Sequence, residues 1–163
     1  MYSKSLYIFR RDLRIKNNLT YSEAQKQTKD KLYPCFFFTE EQIGEKNKFR
    51  SINAIQFMIE SLYDLSREIK QNTSGDLSIF MVSDLVKSIT SLVKKHNIDA
   101  VFLTEDYTPY ARKFQDELMR KCKKIGCQVV MCEDYNVISP KEIKEYQKFR
   151  LITFLIALLL IAG

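Results

Sequence analysis

Leu6-Tyr7-Ile8-Phe9, followed at once by Arg10-Arg11-Asp12-Leu13-Arg14 and then by Asn17-Asn18, is the stretch that decides the fold. Four apolar residues in a row read as a short strand buried on both faces. A strand so near the N-terminus, with a helix behind it, is the usual opening of a parallel α/β sheet. Three arginines and an aspartate then stand where a nucleotide-binding protein would carry a glycine-rich loop. Ligands of open α/β sheets bind outside the carboxyl ends of the strands, so these charges fall where binding or chemistry takes place. They also admit a structural reading, a latch in which Asp12 pairs with an arginine and pins the loop.

Outward from that stretch the chain alternates. Asn17-Asn18 caps a helix over Leu19–Gln27, because an asparagine side chain accepts from an orphan backbone N–H. Tyr33, Phe36, Phe37 and Phe38 mark a second strand within Leu32–Phe38, and Pro34 places its true start at Cys35. Thr39–Lys46 reads as a polar loop. From Asn47 to Gln71, Ile52, Ile55, Ile59, Leu62, Leu65 and Ile69 recur every three or four residues and predict a long helix with one apolar stripe. Leu77–Val82 is a third strand, and Asp84 caps a helix that runs to about His96. Ile98–Leu103 is a fourth strand. Thr108 and Pro109 then open a helix in the favoured N-cap and N1 positions. Tyr110, Phe114, Leu118 and Cys122 line its inner face, and Gly126 stands at its stop. Cys127–Cys132 is a fifth strand. Ser139-Pro140-Lys141-Glu142 is a capping box for a last short helix to about Lys148. The fold class is therefore α/β, a Rossmann-like five-stranded parallel sheet of order 3-2-1-4-5 with helices on both faces. Its switch point lies between the first and fourth strands, where Arg10 to Arg14 and Glu105-Asp106-Tyr107 are expected to meet over a crevice.

Composition narrows the function. A chain of 163 residues suits one domain with a single core, and 45% apolar with 28% charged residues is ordinary for a soluble protein. The net charge of +6 permits contact with nucleic acid or an anionic membrane, but the lysines are dispersed along the chain. Cys35, Cys122, Cys127 and Cys132 form no C-x-x-C pair, and His96 is the only histidine, which excludes zinc-type spacing and leaves free reduced thiols. The charged start carries no secretory signal, so an intracellular, reducing location is expected. There is no P-loop, dinucleotide fingerprint or nucleophile elbow. His96 falls at a helix C-terminus that favours a cationic imidazole, Arg112 on a helix surface, and Glu40-Glu41 and Glu105-Asp106 read as solvated carboxylates. No catalytic residue and no metal ligand is assigned.

Phe9-Arg10-Arg11-Asp12-Leu13-Arg14 with Asn17-Asn18 resembles the opening motif of the DNA photolyase/cryptochrome family. That motif runs aromatic, Arg, Arg, Asp, Leu, Arg, two residues, Asp-Asn; here Asn17 stands for its second Asp. Asn47-Lys48-Phe49-Arg50, Ala54 to Met58 and Glu60 to Leu65 resemble the family's long second helix. Asp106-Tyr107-Thr108-Pro109-Tyr110-Ala111-Arg112-Lys113 resembles its signature after the fourth strand, and Val137 to Pro140 the segment leaving the fifth. The likeness covers residues 5–150.

The resemblance implies the family's N-terminal antenna domain, which helps to bind a folate or deazaflavin chromophore that passes excitation to FAD for light-driven repair of pyrimidine dimers in DNA. A chromophore slot needs aromatic walls and a few fixed polar groups. The strand ends offer Phe9 and Arg11, Phe37 and Phe38, Asp106 and Tyr107 as its contacts, while Arg10, Asp12, Arg14 and Asn18 form the structural part of the motif. The family's FAD site lies in a helical domain not expected within these residues, so the partner implied is a separately encoded FAD-binding helical domain, with DNA reached only indirectly. Near the family's linker an aromatic-Thr-Pro-Phe pattern is usual; here Tyr146-Gln147-Lys148-Phe149 leads to Arg150 without a proline. Residues 1–150 are read as the family domain, and 151–163 as a charge-free, non-ancestral tail left by an interrupted gene. As a helix the twelve uncharged residues Leu151–Ala162 would span about 18 Å, short of the roughly 30 Å of a hydrocarbon core, so a membrane partner is not expected. The alternative class is a non-enzymatic chromophore- or nucleotide-binding Rossmann-like module, or a residual gene fragment.

Overall fold

The computed structural model describes residues 1–45, 47–73, 75–134 and 145. Five strands, β1 (Tyr2–Phe9), β2 (Thr28–Thr39), β3 (Ser78–Val82), β4 (Ala100–Thr104) and β5 (Gln128–Cys132), form one sheet of order β3-β2-β1-β4-β5 with every pair parallel. The helices between them are α1 (Leu19–Gln27), α2 (Glu40–Ile43), α3 (Ile52–Asn72), α4 (Leu85–His96) and α5 (Pro109–Lys124). The expected strand order is the observed one. The capping box at Ser139, the segment Val137 to Pro140, the last short helix and the apolar tail lie outside the described residues.

Strand periodicity divides the core into two layers. Leu6, Ile8, Cys35, Phe37, Val101 and Leu103 point to one face, where Val86, Ile89 and Val93 of α4 and Phe114, Leu118 and Cys122 of α5 cover them. Tyr7, Phe9, Phe36, Phe38, Ala100 and Phe102 point to the other, under Tyr21 and Ala24 of α1 and Leu62, Leu65 and Ile69 of α3. Central strands that alternate between two covered faces must be apolar throughout, which is why β1 and β4 read as unbroken runs.

Three local expectations are corrected. First, β2 starts at Thr28, and Pro34 lies inside it, opposite Tyr7. Its pairing with β3 begins only at Cys35, so at Pro34 the strand has β1 alone as neighbour and a missing N–H on the open side breaks no ladder. Second, Thr39–Lys46 contains the single-turn helix α2, where Gln42 Oε1 accepts from Thr39 N at 3.2 Å, one half of a Thr-x-x-Gln capping box. Third, the stripe on α3 is buried only in its C-terminal half. Ile52 is 75% and Ile59 50% exposed, whereas Leu62, Leu65 and Ile69 are buried. The helix outruns the sheet it packs on, and periodicity reports a helix face without reporting what covers it. Among the described residues no helix is long and apolar enough to cross a membrane.

Candidate functional site

The carboxyl ends of β1 and β4 are joined by a buried polar cluster centred on Asp12, which is 2% exposed. Asp12 Oδ2 accepts from Thr104 Oγ1 at 2.6 Å, from Asn18 Nδ2 at 3.2 Å and lies 3.3 Å from the donating Tyr7 hydroxyl. Asn18 Oδ1 in turn receives Tyr21 N (2.8 Å), which caps α1, and sits 3.1 Å from the Tyr7 hydroxyl. Its amide also donates to Arg14 O at 3.0 Å. A carboxylate so placed exchanges water for several charge-assisted bonds, the condition under which burial is tolerated. Burial, reinforced by the Asp12 charge, pushes the Tyr7 phenol well above its ordinary range. The expected latch exists, but its partners are hydroxyls and an amide rather than an arginine. The crevice expected between these two tips is filled by the cluster.

The arginines of the motif go elsewhere. Arg11 Nε stands 3.6 Å from Asp106 Oδ2, linking the loops that follow β1 and β4. Asp106 also accepts from Thr108 N at 3.0 Å. Gln115, buried in α5, pins the Asp106 backbone with its carboxamide turned to accept from Asp106 N (2.8 Å) and donate to Asp106 O (3.2 Å). Burial alone would raise the Asp106 carboxyl; the Thr108 bond and the Arg11 and Arg10 guanidiniums outweigh it and hold the group below its ordinary value. Arg14 reaches Asp134, just past β5, at 3.6 Å, and the same carboxylate accepts from Leu19 N at 3.1 Å.

Arg10 turns to the α4/α5 side. Its guanidinium lies over the Phe114 ring, 5.1 Å from the centroid. It borders a cavity of about 160 Å³ between the tips of β1 and β2, walled by Ile8, Phe37, Leu85, Tyr110 and Phe114 with Thr39, Gln42 and Thr108 at its polar margin; Phe9 and Phe36 also border it, but their rings belong to the opposite layer. Two buried polar atoms on this cavity have no hydrogen-bond partner among the described residues, Arg10 Nη1 and Thr39 Oγ1. Native proteins rarely leave such groups unpaired, so both atoms are free to bond to water or to a polar guest in the cavity. Beside it a wider groove of about 400 Å³ shares Thr39, Leu85, Tyr110 and Phe114. Tyr110, which lines both, donates from Oη to Glu41 Oε2 at 2.8 Å. Burial and that carboxylate raise the Tyr110 phenol, so the bridge stays protonated and intact at neutral pH.

The sequence-predicted contacts are divided by this geometry. Phe9, Arg11 and Phe37 line the cavity. Phe38 packs edge-on against Phe36 at 4.9 Å within the opposite layer. Asp106 is engaged with Arg11 and its own turn, and Tyr107 lies in the loop between β4 and α5. Arg10, assigned to the structural part of the motif, is the cation on the cavity. Thr39, Gln42, Tyr110 and Phe114 were not singled out as contacts; the capping box at Thr39 and the Pro109 helix start were the available signals. Of the two carboxylate pairs read as solvated, Glu41 is bonded to Tyr110 and Asp106 is buried. Arg112 is exposed on α5 and His96 ends α4, as expected. Among the described residues no group of three or more His, Cys, Asp or Glu side chains is placed to hold a metal.

Comparison with known proteins agrees with this architecture. Cryptochrome-1 of Aedes aegypti is 26% identical over 140 residues, covering 83% of this chain and 25% of its own length. Cryptochrome DASH of Idiomarina loihiensis is 29% identical over 120 residues, covering 68% of this chain and 25% of its own. The chain thus spans about a quarter of the curated relatives it matches. Among solved structures, the archaeal photolyase from Sulfolobus tokodaii, described with two FAD molecules and a novel light-harvesting cofactor, superposes with a TM-score of 0.73 at 29% identity, over 83% of this chain and 30% of that one. The class III photolyase of Agrobacterium tumefaciens shares the fold, with a TM-score of 0.67 at 19% identity over 82% of this chain and 26% of that one. The DNA photolyase family model matches residues 5–155, and the chain belongs to that family.

Proposed function

We propose that this chain is the antenna module of a photolyase/cryptochrome-type flavoprotein that repairs pyrimidine dimers with light, its slot holding one edge of a planar chromophore of the folate or deazaflavin class. The observation that carries the reading is the pair of unpartnered buried atoms, Arg10 Nη1 and Thr39 Oγ1, on an aromatic-walled cavity at the strand ends. A guanidinium donor and a hydroxyl on one cavity suit a carbonyl or anionic oxygen on a flat ring, and Phe37 and Phe114 suit its faces. At about 160 Å³ the slot is below the roughly 300 Å³ usual for a whole small-molecule site. Together with the adjoining 400 Å³ groove, which shares Thr39, Leu85, Tyr110 and Phe114 with it, the space comes into that range. A bound chromophore supplies absorption of light and transfer of excitation; the residues of this chain bind it, orient it and exclude water from its edge. FAD and the lesion are assigned to a helical domain acting as partner, and the setting to the cell interior.

The test is binding by the full chain of a flavin, a 5-deazaflavin and a reduced folate, followed by chromophore fluorescence. One of them binds, and Arg10→Met raises its Kd about 10- to 100-fold, the worth of a hydrogen bond to a charged group. Failure of all three to bind, or unchanged affinity in Arg10→Met with the fold intact by circular dichroism, removes this assignment.

A further inference from the structure

The C-terminal end of α5 folds as a Schellman motif whose two side-chain contact positions are both cysteine. Ile125 is the C-cap, and Gly126 follows in the left-handed region at φ 75°. Cys127 N donates to Cys122 O at 3.0 Å and Gly126 N to Lys123 O at 3.3 Å, the two bonds that define the motif. This backbone brings the third-last helical side chain against the second residue past the cap, ordinarily an apolar contact. Here both positions are thiols of one core cluster, near enough to affect each other's titration, and Cys127 Sγ donates to Gln128 O at 3.5 Å.

Their environments differ. Cys122 is fully buried. Cys127, 3% exposed, borders a surface cavity of about 320 Å³ that it shares with Met119, Lys123, Gly126, Gln128 and Val129. Lys123 lines the same cavity, while the Asp99 charge works against a thiolate at Cys127. The neighbouring Cys127 thiol outweighs burial at Cys122 and brings that thiol below its ordinary value, while Cys122 and burial raise Cys127, so the first proton leaves from Cys122 and the second is held more tightly. Neither remaining thiol competes. Cys35 sits buried within β2, and five strand steps of about 3.3 Å carry Cys132 some 16 Å from Cys127, beyond the roughly 7 Å limit for a bridge.

We propose that Cys122 and Cys127 form a redox modification site, a dithiol that closes to a disulfide when a small disulfide of the glutathione type reaches Cys127 through its cavity. The singly ionised pair holds its charge mainly on Cys122; passage of the Cys127 proton to Cys122 gives the minor form, with the thiolate on Cys127 at the cavity, which is the form that reacts. The Cys127 thiolate attacks one sulfur of the oxidised glutathione; the S–S bond breaks and one glutathione thiolate departs. Cys122 gives its proton to that thiolate and attacks the Cys127 sulfur, and the second glutathione departs and takes a proton from solvent. The protein pair loses two electrons and two protons, and one oxidised glutathione becomes two reduced ones.

The experiment treats the native full chain with oxidised glutathione, alkylates the remaining thiols, and reads intact mass and peptide linkage. The expected result is a loss of about 2 Da with Cys122 linked to Cys127. Cys122→Ser stalls as a glutathione adduct of about +305 Da on residue 127, and Cys127→Ser does not acquire the adduct at Cys122. The proposal is overturned if the native chain reacts only in urea, if it stops at the adduct without closing, if Cys132 or Cys35 enters the bridge, or if Cys127→Ser is modified at Cys122 as fast as the native chain.

Discussion

Asp12 invites a perturbation series because two readings of the same motif make opposite predictions. In the hydroxyl-and-amide latch, one oxygen, Oδ2, collects Thr104, Asn18 and Tyr7. Thr104→Val removes the shortest of these bonds and leaves the carboxylate buried, which costs about 1.5–3 kcal/mol, the range for a bond to a charged group. Asp12→Ala deprives all three donors. Each keeps a second acceptor nearby, Thr20 Oγ1 at 3.2 Å, Arg14 O at 3.0 Å and Asn18 Oδ1 at 3.1 Å, so the loss stops at about 3–5 kcal/mol. Asp12→Asn keeps a carbonyl oxygen for the same donors and loses only the charge assistance, about half the alanine penalty. If an ion pair held the loop, asparagine and alanine would be equally damaging. The assay is urea unfolding of the full chain by far-UV circular dichroism, comparing midpoints at a common m-value. At this chain length each kcal/mol moves Tm by about 2–4 °C, so the series is also resolvable thermally. A Thr104→Val variant within about 0.5 kcal/mol of the native chain, or Asp12→Asn matching Asp12→Ala, refutes the reasoning.

Three further outcomes follow from the packing and the titrations. The Tyr7 phenol is raised in the fold, so its stability is complete below the unfolded value of about 10 and is lost as pH rises above it, by up to about 1.4 kcal/mol per pH unit. Tyr7→Phe therefore flattens the alkaline limb of the urea midpoint between about pH 9.5 and 11. On α3, Leu65→Ala costs about 2–5 kcal/mol by leaving a cavity, whereas Ile59→Ala, at 50% exposure, costs under about 1 kcal/mol; equal losses by chemical denaturation would place the helix differently on the sheet. Gly126→Ala meets no atom within 4 Å of the new Cβ, so its cost is the left-handed backbone alone, about 1–2 kcal/mol in the same unfolding assay.

How much of this was legible in the sequence depends on the range of the interaction that decides it. The strand order and helix starts rest on local patterns, such as Asn18, Asp84 and Thr108 as N-caps, and all three side chains accept from the N–H three residues on. Pro34 misled because its effect depends on where the neighbouring strand begins, a long-range fact. The apolar stripe of α3 was legible as a stripe, but the sheet beneath it ends at an edge strand, β3, whose Ile79 and Met81 are themselves exposed. The site was half legible for the same reason. Strand-end aromatics and charges can be counted from sequence, but which of Arg10, Arg11 and Arg14 finds a carboxylate depends on Asp106 and Asp134, which arrive from loops about a hundred residues away.

That distribution of partners separates the four charges of the motif by role. Asp12 Oδ2 is satisfied by hydroxyls and an amide, while its Oδ1 has no partner among the described residues; Arg11 is matched to Asp106, and Arg14 to Asp134. Arg11, with a side chain 66% exposed, holds its partner through a screened pair, so its loss costs little stability. Arg10 is different because it is held without a carboxylate in direct contact. The Phe114 ring supports one face of its guanidinium, and Nη1 is left buried at the cavity. Such a donor lowers the stability of the ligand-free fold, since its water is removed and nothing described replaces it. A site that stores this penalty returns it to whatever acceptor binds there, so tight binding and a destabilised empty state have one physical origin at Arg10. Filling the slot with an apolar side chain at residue 10 should therefore raise the stability of the empty fold while weakening ligand binding, a pairing of effects that a purely structural arginine would not produce.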